Sequence, residues 1–280
     1  MVSFIKWAGG KKQLLEQFKP FFPKKIERYF EVFVGGGAVL FYVIQNYNPK
    51  YVFISDINEE LINTYEVIKN DVENLIIELK KLKQIHNKET YYRIRAEDPK
   101  LLSPLTRASR FIYLNKTCFN GLYRVNSKGK FNVPMGSYKN PSIFSEKDLR
   151  EISKLLQNVN IKLMPFEDIL NYAKKDDFCY FDPPYYPLKK GKSFTTYNKE
   201  VFLEKEQEKL KNVFEKLDKR GCKVMLSNSN TNFIKELYKE YEINFVDANR
   251  MINCDGSKRG KIKEVVIINY PPNTKQERVL

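Results

Sequence analysis

Histidine is almost missing from this chain: His86 is the only one in 280 residues, and the four cysteines, Cys118, Cys179, Cys222 and Cys254, form no CxxC pair. A structural zinc site needs such ligands in clusters, so no metal is assigned. Scattered cysteines also suit a reducing compartment. Long apolar runs are absent too. A stretch such as Val265-Val266-Ile267-Ile268 falls far short of the roughly 20 residues that span a bilayer. Met1-Val2-Ser3-Phe4-Ile5 lacks the longer apolar core of an export signal, so a cytoplasmic protein is expected. Neither GxGxxG nor GxxxxGK followed by Ser or Thr occurs, which excludes the usual dinucleotide fingerprint and the phosphate loop. No internal repeat or low-complexity tract appears.

What is abundant is positive charge. Forty-nine basic residues stand against 34 acidic ones, for a formal net charge of +15. Clustered Lys and Arg release counterions from phosphates, so a polyanionic partner is expected, although a Lys-rich solvated surface gives the same count. The 42% hydrophobic content is enough for a sizeable core, and the 20 Phe and 18 Tyr suit both packing and base stacking.

Apolar runs at Tyr29–Val34, Tyr51–Ser55, Ile161–Met164, Phe178–Phe181, Cys222–Ser227, Ile243–Val246 and Lys263–Tyr270 are mostly continuous, which predicts strands buried on both faces. Helical patterns at Leu61–Leu82, Glu146–Gln157 and Val201–Lys219 separate them. The alternation implies an α/β sheet. Between about Tyr65 and Asn160 it stops, giving way to helices and a Gly-, Asn- and Lys-rich stretch. The expected division is therefore a sheet domain from 1–64 and 161–280 with an inserted unit at 65–160.

Asp182-Pro183-Pro184-Tyr185 follows the buried run Phe178–Phe181. Proline cannot continue a central strand, so this segment leaves the sheet at its carboxyl edge, where open α/β folds bind ligands. Asp182 can accept a hydrogen bond from an exocyclic amine, the rigid prolines can aim a carbonyl at the amine's second hydrogen, and Tyr185 can stack on a flat base. A proline-rich strand exit with an incidental acid is the plainer alternative. Upstream, Phe33-Val34-Gly35-Gly36-Gly37 sits at a strand-to-helix turn, which serves equally as a tight structural turn or a cofactor loop. Asp56 shifts the balance toward nucleoside binding, because it ends the next strand about twenty residues on, where an acid reaches ribose hydroxyls. Ile57 adjoins it.

Trp7-Ala8-Gly9-Gly10-Lys11 places the lone tryptophan beside two glycines and a lysine, and fits a cofactor lid better than a phosphate clamp. Phe166-Glu167-Asp168 again falls on the carboxyl edge, where Asp168 can meet an adenine amine or serve in a first helical turn. The stretch from Arg110 to Arg124, with Asn115, Lys116, Phe119, Asn120 and Leu122 between them, combines bases, amides and aromatics suited to phosphate contact, base reading and stacking. It runs on through Asn126, Lys128 and Lys130 to Pro134 as a basic hairpin turning near Lys128-Gly129. Lys258 and Arg259 form a second basic loop suited to phosphates.

In order, KWAGGK, FVGGG, SDIN, NGLYRVNSKGKFNVP and YFDPPY resemble the Dam family of DNA adenine-N6 methyltransferases, its DpnM-like branch in particular, over nearly the whole chain. The resemblance implies a Rossmann-like class I methyltransferase sheet, mostly parallel with one antiparallel strand, carrying an inserted, mainly helical target-recognition domain. It implies S-adenosyl-L-methionine as cofactor, held by Trp7, Lys11, Asp56 and Asp182 with Phe33, Gly35 and Phe166–Asp168 around them. It implies double-stranded DNA as substrate, GATC as target, a flipped-out adenine, and Arg124 reading a base beside Phe119, with Asn120, Leu122, Pro134 and Tyr138 in support. A cognate restriction endonuclease is a partner it allows; an obligate protein partner is not indicated. Val32 departs from the family's proline, a change compatible with a looser glycine turn that still keeps the pocket, and Phe119 replaces a common tyrosine. The competing readings are methylation of another planar amine, such as cytosine N4 or an RNA base, and a catalytically silent DNA-binding homologue.

Overall fold

Alternate residues of the central strands feed two different apolar clusters. In the computed structural model, which describes residues 2–188, 202–249 and 261–273, Tyr29, Ile54, Phe178 and Tyr180 join one cluster, while Phe30, Val32, Phe53, Cys179 and Phe181 join the other. This is the period-two geometry of a strand buried on both sides. Each large aromatic withdrawn from water in this way contributes on the order of 1.5–3 kcal/mol.

The strands are β1 (Arg28–Val32), β2 (Tyr51–Asp56), β3 (Val159–Leu163), β4 (Phe178–Phe181), β5 (Lys223–Ser229), β6 (Glu242–Asn249) and β7 (Lys261–Ile268). They form one sheet in the order β3-β2-β1-β4-β5-β7-β6, parallel except that β7 runs antiparallel to both β5 and β6. The sheet is thus the mostly parallel Rossmann-like one expected from the sequence. All seven apolar runs became strands. From β1 the chain steps to β2 and β3 on one side, then returns to lay β4 on the other. The carboxyl ends of β1 and β4 therefore flank the topological switch point, the crevice where such sheets bind ligands.

The helices are α1 (Leu15–Phe18), α2 (Ala38–Tyr47), α3 (Glu59–Asn70), α4 (Val72–Gln84), α5 (Lys88–Ala96), α6 (Pro104–Thr117), α7 (Glu146–Leu156), α8 (Glu204–Lys219) and α9 (Asn232–Leu237). Side chains of α8 and α9 cover one face of the sheet; those of α2, α3 and α7 cover the other. The single helical pattern at Leu61–Leu82 is in fact two helices. Asp71, at φ −147° and ψ 44°, breaks it, and its carboxylate accepts a 2.8 Å bond from Asn74 Nδ2. Asn70-Asp71 is turn chemistry that outweighs the surrounding apolar spacing.

Among the described residues, no strand of the sheet lies between β2 and β3. That interval instead holds α3 to α7 and a hairpin whose arms meet at Val125 and Phe131. The apolar cluster on this side of the sheet continues into it through Tyr91, Ile94, Phe111 and Tyr113, and Tyr91 Oη donates to the Val133 carbonyl at 2.9 Å. Arg107 ties α6 to α3 by ion pairs to Glu59 and Glu60 at 2.7 and 2.5 Å. No helix among the described residues is long and apolar enough to cross a membrane.

Candidate active site and nucleic-acid face

The prolines after β4 end the strand where expected, and Asp182 emerges at the switch point. Its carboxylate meets a buried cation: Lys11, 4% exposed, places Nζ 2.7 Å from Asp182 Oδ1 and 2.5 Å from the Gly9 carbonyl. Burial pushes the Asp182 carboxyl up to about 6, with the Lys11 ammonium opposing and the Glu264 carboxylate reinforcing the shift. At neutral pH Asp182 is thus still ionised and able to accept hydrogen bonds. Tyr185 turns its ring toward the same lysine, 4.7 Å from its centroid, and donates its hydroxyl to Glu264 Oε2 at 2.8 Å.

A second carboxyl lies beneath. Glu31 on β1 is 2% exposed and accepts a 2.7 Å bond from Tyr29 Oη. Burial raises it to about 8 despite that bond, and the negative Asp182 adds to the shift. One acid is therefore charged and its neighbour protonated near neutrality, because only one of them has the lysine within contact distance.

The glycine turn after β1 is built as a cradle. Gly35 has φ +48° and Gly37 φ +71°, and a Cβ on either would come within 2.6 Å of Trp7 Nε1 or Tyr65 Oη respectively. Both positions require glycine. Val32, the last residue of β1, is fully buried and paired with Ser55 on one side and Phe181 on the other. The turn's unusual backbone falls on Phe33, at φ +65°. Its ring lies 5.3 Å from Phe166 and 5.6 Å from Phe202, making an aromatic wall.

Asp56 closes the other side. Its Oδ2 accepts from the Gly35 amide at 3.3 Å and its Oδ1 from Asn58 N at 2.9 Å, with the Ile57 amide also directed at it, which leaves acceptor capacity on the carboxylate. Ile57 next to it is 68% exposed, an apolar side chain offered to the crevice edge. Asp168 lies in the first turn of a short 3₁₀ helix, Phe166–Asn171, whose N-cap is Pro165 and has no side-chain cap. Trp7 packs over Gly35 and Gly36 and stacks on Tyr123, with centroids 5.9 Å apart and planes at 24°. It is wedged between the glycine turn and the insert, while Ala8 and Gly9 beside it are exposed.

The hairpin forms as expected. Asn126 N donates to Lys130 O at 2.9 Å, Asn126 Oδ1 accepts from the amides of Lys128 and Lys130, and Gly129 takes φ +74° at the turn. Lys128, Lys130, Asn120 and Pro134 are exposed, and Phe119 projects at 46% exposure from a turn pinned by its amide to Pro134 O. Arg124 is held across the hairpin by Asn132, Nε to Oδ1 at 2.7 Å. Leu122 and Lys116 are half-buried, and Tyr138 accepts from Lys6 Nζ at 3.2 Å.

Two residues expected on the DNA face lie elsewhere. Arg110 is 5% exposed and donates to the carbonyls of Ile94 and Arg95, so it joins α6 to α5 instead of reaching solvent. Asn115, 1% exposed, bonds both the amide and carbonyl of Lys6 at 2.8 Å and the Gly121 carbonyl at 3.1 Å. It fastens the amino-terminal segment to the insert. α6 is buried on all sides from Ala108 to Asn115, which the polarity of Arg110 and Asn115 concealed. Lys258 and Arg259 lie outside the described residues.

Sequence reasoning missed Glu31, Glu264, Asn132 and Lys6. Lys6 and Asn132 stood inside quoted motifs without being singled out; Glu31 and Glu264 sit in ordinary strand text, and partners brought together by the fold reveal their roles.

A sequence model of D12 class N6 adenine-specific DNA methyltransferases matches residues 7–252. The type II methyltransferase M.MjaIII of Methanocaldococcus jannaschii is 50% identical over 284 residues, covering 95% of this chain and 98% of its own. The type II methyltransferase M1.LlaDCHI of Lactococcus lactis is 42% identical over 273 residues, covering 95% of each. The DNA adenine methylase of Escherichia coli K12 is 34% identical over 271 residues, covering 96% of this chain and 95% of its own. An acid-proline-proline-tyrosine exit at the switch point, joined to similarity along almost the whole chain, shows that it belongs to the D12 class of N6 adenine-specific DNA methyltransferases.

Proposed function

We propose that this protein methylates N6 of an adenine flipped out of duplex DNA, with S-adenosyl-L-methionine as methyl donor and GATC as target. The observation that carries the reading is the ionised Asp182 at the carboxyl end of β4, facing the Gly35 turn across the switch point, with the Tyr185 ring beside it. The cradle fits the donor: Asp56 retains acceptor capacity for ribose hydroxyls, Ile57 and the Phe33–Phe166 wall offer apolar surface for a base, and Asp168 offers an acceptor nearby. When bound, S-adenosyl-L-methionine supplies an activated methyl group on a sulfonium.

The chain's own residues do the rest. Asp182 and the Pro183 carbonyl accept the two N6 hydrogens, which orients the amine's lone pair, and Tyr185 stacks on the extruded base. Pro184 stiffens the turn that carries them. Residues 65–160 act as the recognition unit: Arg124, fixed by Asn132, reads guanine O6 and N7; Phe119 wedges among bases; Lys128 and Lys130 meet phosphates. The names of the relatives support an enzyme of DNA modification, and this reading puts it to work in the cytoplasm.

Methylation-sensitive sequencing of plasmid DNA exposed to the protein, paired with mass analysis of its nucleosides, tests the proposal. N6-methyladenine confined to GATC is expected, and Asp182→Ala should abolish it while binding of DNA and cofactor survives. N4-methylcytosine, or turnover by the Asp182 variant, sinks the reading.

A further inference from the structure

Glu264 lies on β7, 79 residues beyond Tyr185 in sequence, in a strand that carries no methyltransferase motif. Yet its Oε2 accepts the Tyr185 hydroxyl at 2.8 Å, at the same crevice that holds Asp182. We infer that Glu264 is a positioning residue of this active site, fixing the plane of the ring that holds the extruded base. The inference rests on the proposed function and extends it to a side chain outside the acid-proline-proline-tyrosine segment.

The rest of the turn explains why a distal anchor matters. On either side of Tyr185 the backbone is already held from the sheet and α8. Gln207 Nε2 donates to the Pro184 carbonyl at 3.1 Å, and Asn228 Nδ2 holds that amide through Gln207 Oε1 at 3.0 Å. Asn228 Oδ1 also accepts from Tyr186 N at 3.2 Å, and Ser229 Oγ donates to Tyr186 O at 2.6 Å. These bonds fix where Cα of Tyr185 sits and leave the side-chain torsions to other restraints. The hydroxyl bond to Glu264 restrains the far end of the ring, and Lys11 Nζ lies 4.7 Å from its centroid. A ring anchored at both ends presents its face to a base without first losing rotamer freedom, and an anionic acceptor makes that anchor stronger than a neutral one.

β7 delivers this anchor because it is antiparallel. Its pairing sets Glu264 opposite Ser229 of β5 and Val246 of β6, so residues near the start of β7 reach the carboxyl edge of the parallel strands. A parallel strand would bring its end there instead.

Steady-state kinetics on a duplex containing the sequence that the wild-type protein methylates, with cofactor affinity from calorimetry, tests the inference. Glu264→Ala should lower kcat about tenfold, the worth of one hydrogen bond to a charged group, with cofactor affinity unchanged. Glu264→Gln, which still accepts a hydrogen bond, should recover most of the rate. Tyr185→Phe should reproduce the loss, and adding Glu264→Ala to it should cost nothing more. Should Glu264→Ala fail to fold, Glu264→Gln and Tyr185→Phe still decide the matter: a Tyr185→Phe enzyme as fast as wild type overturns the inference. So does a Glu264 effect that persists in the Tyr185→Phe background, which would mean that the carboxylate acts on Asp182 directly. Wild-type protein that methylates no adenine defeats the proposed function itself, and is distinguishable from either result.

Discussion

Lys11 and Asp182 form an ion pair at 2.7 Å, with the lysine side chain 5% exposed and the aspartate 19%. The lysine comes from the amino-terminal segment and the acid from the end of β4, so the charge state of the candidate site depends on two parts of the chain 171 positions apart. This pairing decides that the acid expected to accept the amine's hydrogens is ionised at neutral pH.

Activity should therefore fall as pH drops through about 6, where Asp182 takes up a proton and can no longer accept. Replacing the cation, as in Lys11→Met, removes the influence that lowers this carboxyl and moves the acid limb to higher pH. A loss of about two- to tenfold at pH 7 is expected if the limb shifts by one to two pH units, with recovery toward pH 9. Single-turnover rates from pH 5 to 9 measure it. A loss of equal size at every pH would contradict the assignment.

The Glu31 carboxyl gives a stability test with a definite sign. Its folded-state value, about 8, lies above the ordinary 4.5, so the folded protein binds the extra proton between those values. Wild-type stability then declines as pH rises from about 4.5 to 8, because the unfolded chain releases the Glu31 proton while the buried side chain still holds it. Glu31→Gln keeps an acceptor for Tyr29 Oη and loses this dependence. Urea midpoints should show the variant gaining on wild type across that window and holding a constant difference above it; a difference independent of pH would refute the burial argument.

Two glycines at positive φ should behave differently. Gly35→Ala puts a methyl 2.6 Å from Trp7 Nε1 at φ +48°, and it should cost about 1–3 kcal/mol and weaken cofactor binding in calorimetry, since Trp7 must move. Gly129→Ala, at φ +74° with nothing within 4 Å, meets only the backbone strain, and it should leave cofactor affinity intact. Equal effects on the cofactor would deny the cradle its role.

Among the basic residues, packing and phosphate contact should separate cleanly. Arg110→Met removes the guanidinium's bonds to the Ile94 and Arg95 carbonyls and should lower stability by about 2 kcal/mol without changing the salt dependence of DNA binding. Lys128→Ala combined with Lys130→Ala should leave stability unchanged and reduce the slope of log affinity against log salt by about two. Fluorescence titrations at several salt concentrations distinguish them; an Arg110 variant with an altered slope would return that residue to the interface.

Strand identity was open to sequence reading because burial on both faces demands continuous apolar runs in the central strands, while the edge strands β3 and β6, partly exposed, still carry short apolar runs. Asp182 was equally open, since prolines end a strand whatever surrounds it. Helix partition was less so: the spacing of Leu61–Leu82 continues through Asp71, and only local turn chemistry shows the break. Arg110 and Asn115 misled because polar type suggests solvent, whereas a buried arginine is acceptable once carbonyls satisfy its guanidinium.

The sequence by itself determined the family, the sheet, the glycine turn and the acid at the strand exit, because each depends on residue type or on spacing along the chain. Tertiary structure alone decided which charges face one another. Lys11 pairs with Asp182, Asp182 acts electrostatically on Glu31, and Glu264 meets Tyr185 through the antiparallel setting of β7. Electrostatic and hydrogen-bond energies fall steeply with distance, so groups far apart in sequence acquire their chemistry only when folding brings them within a few ångströms.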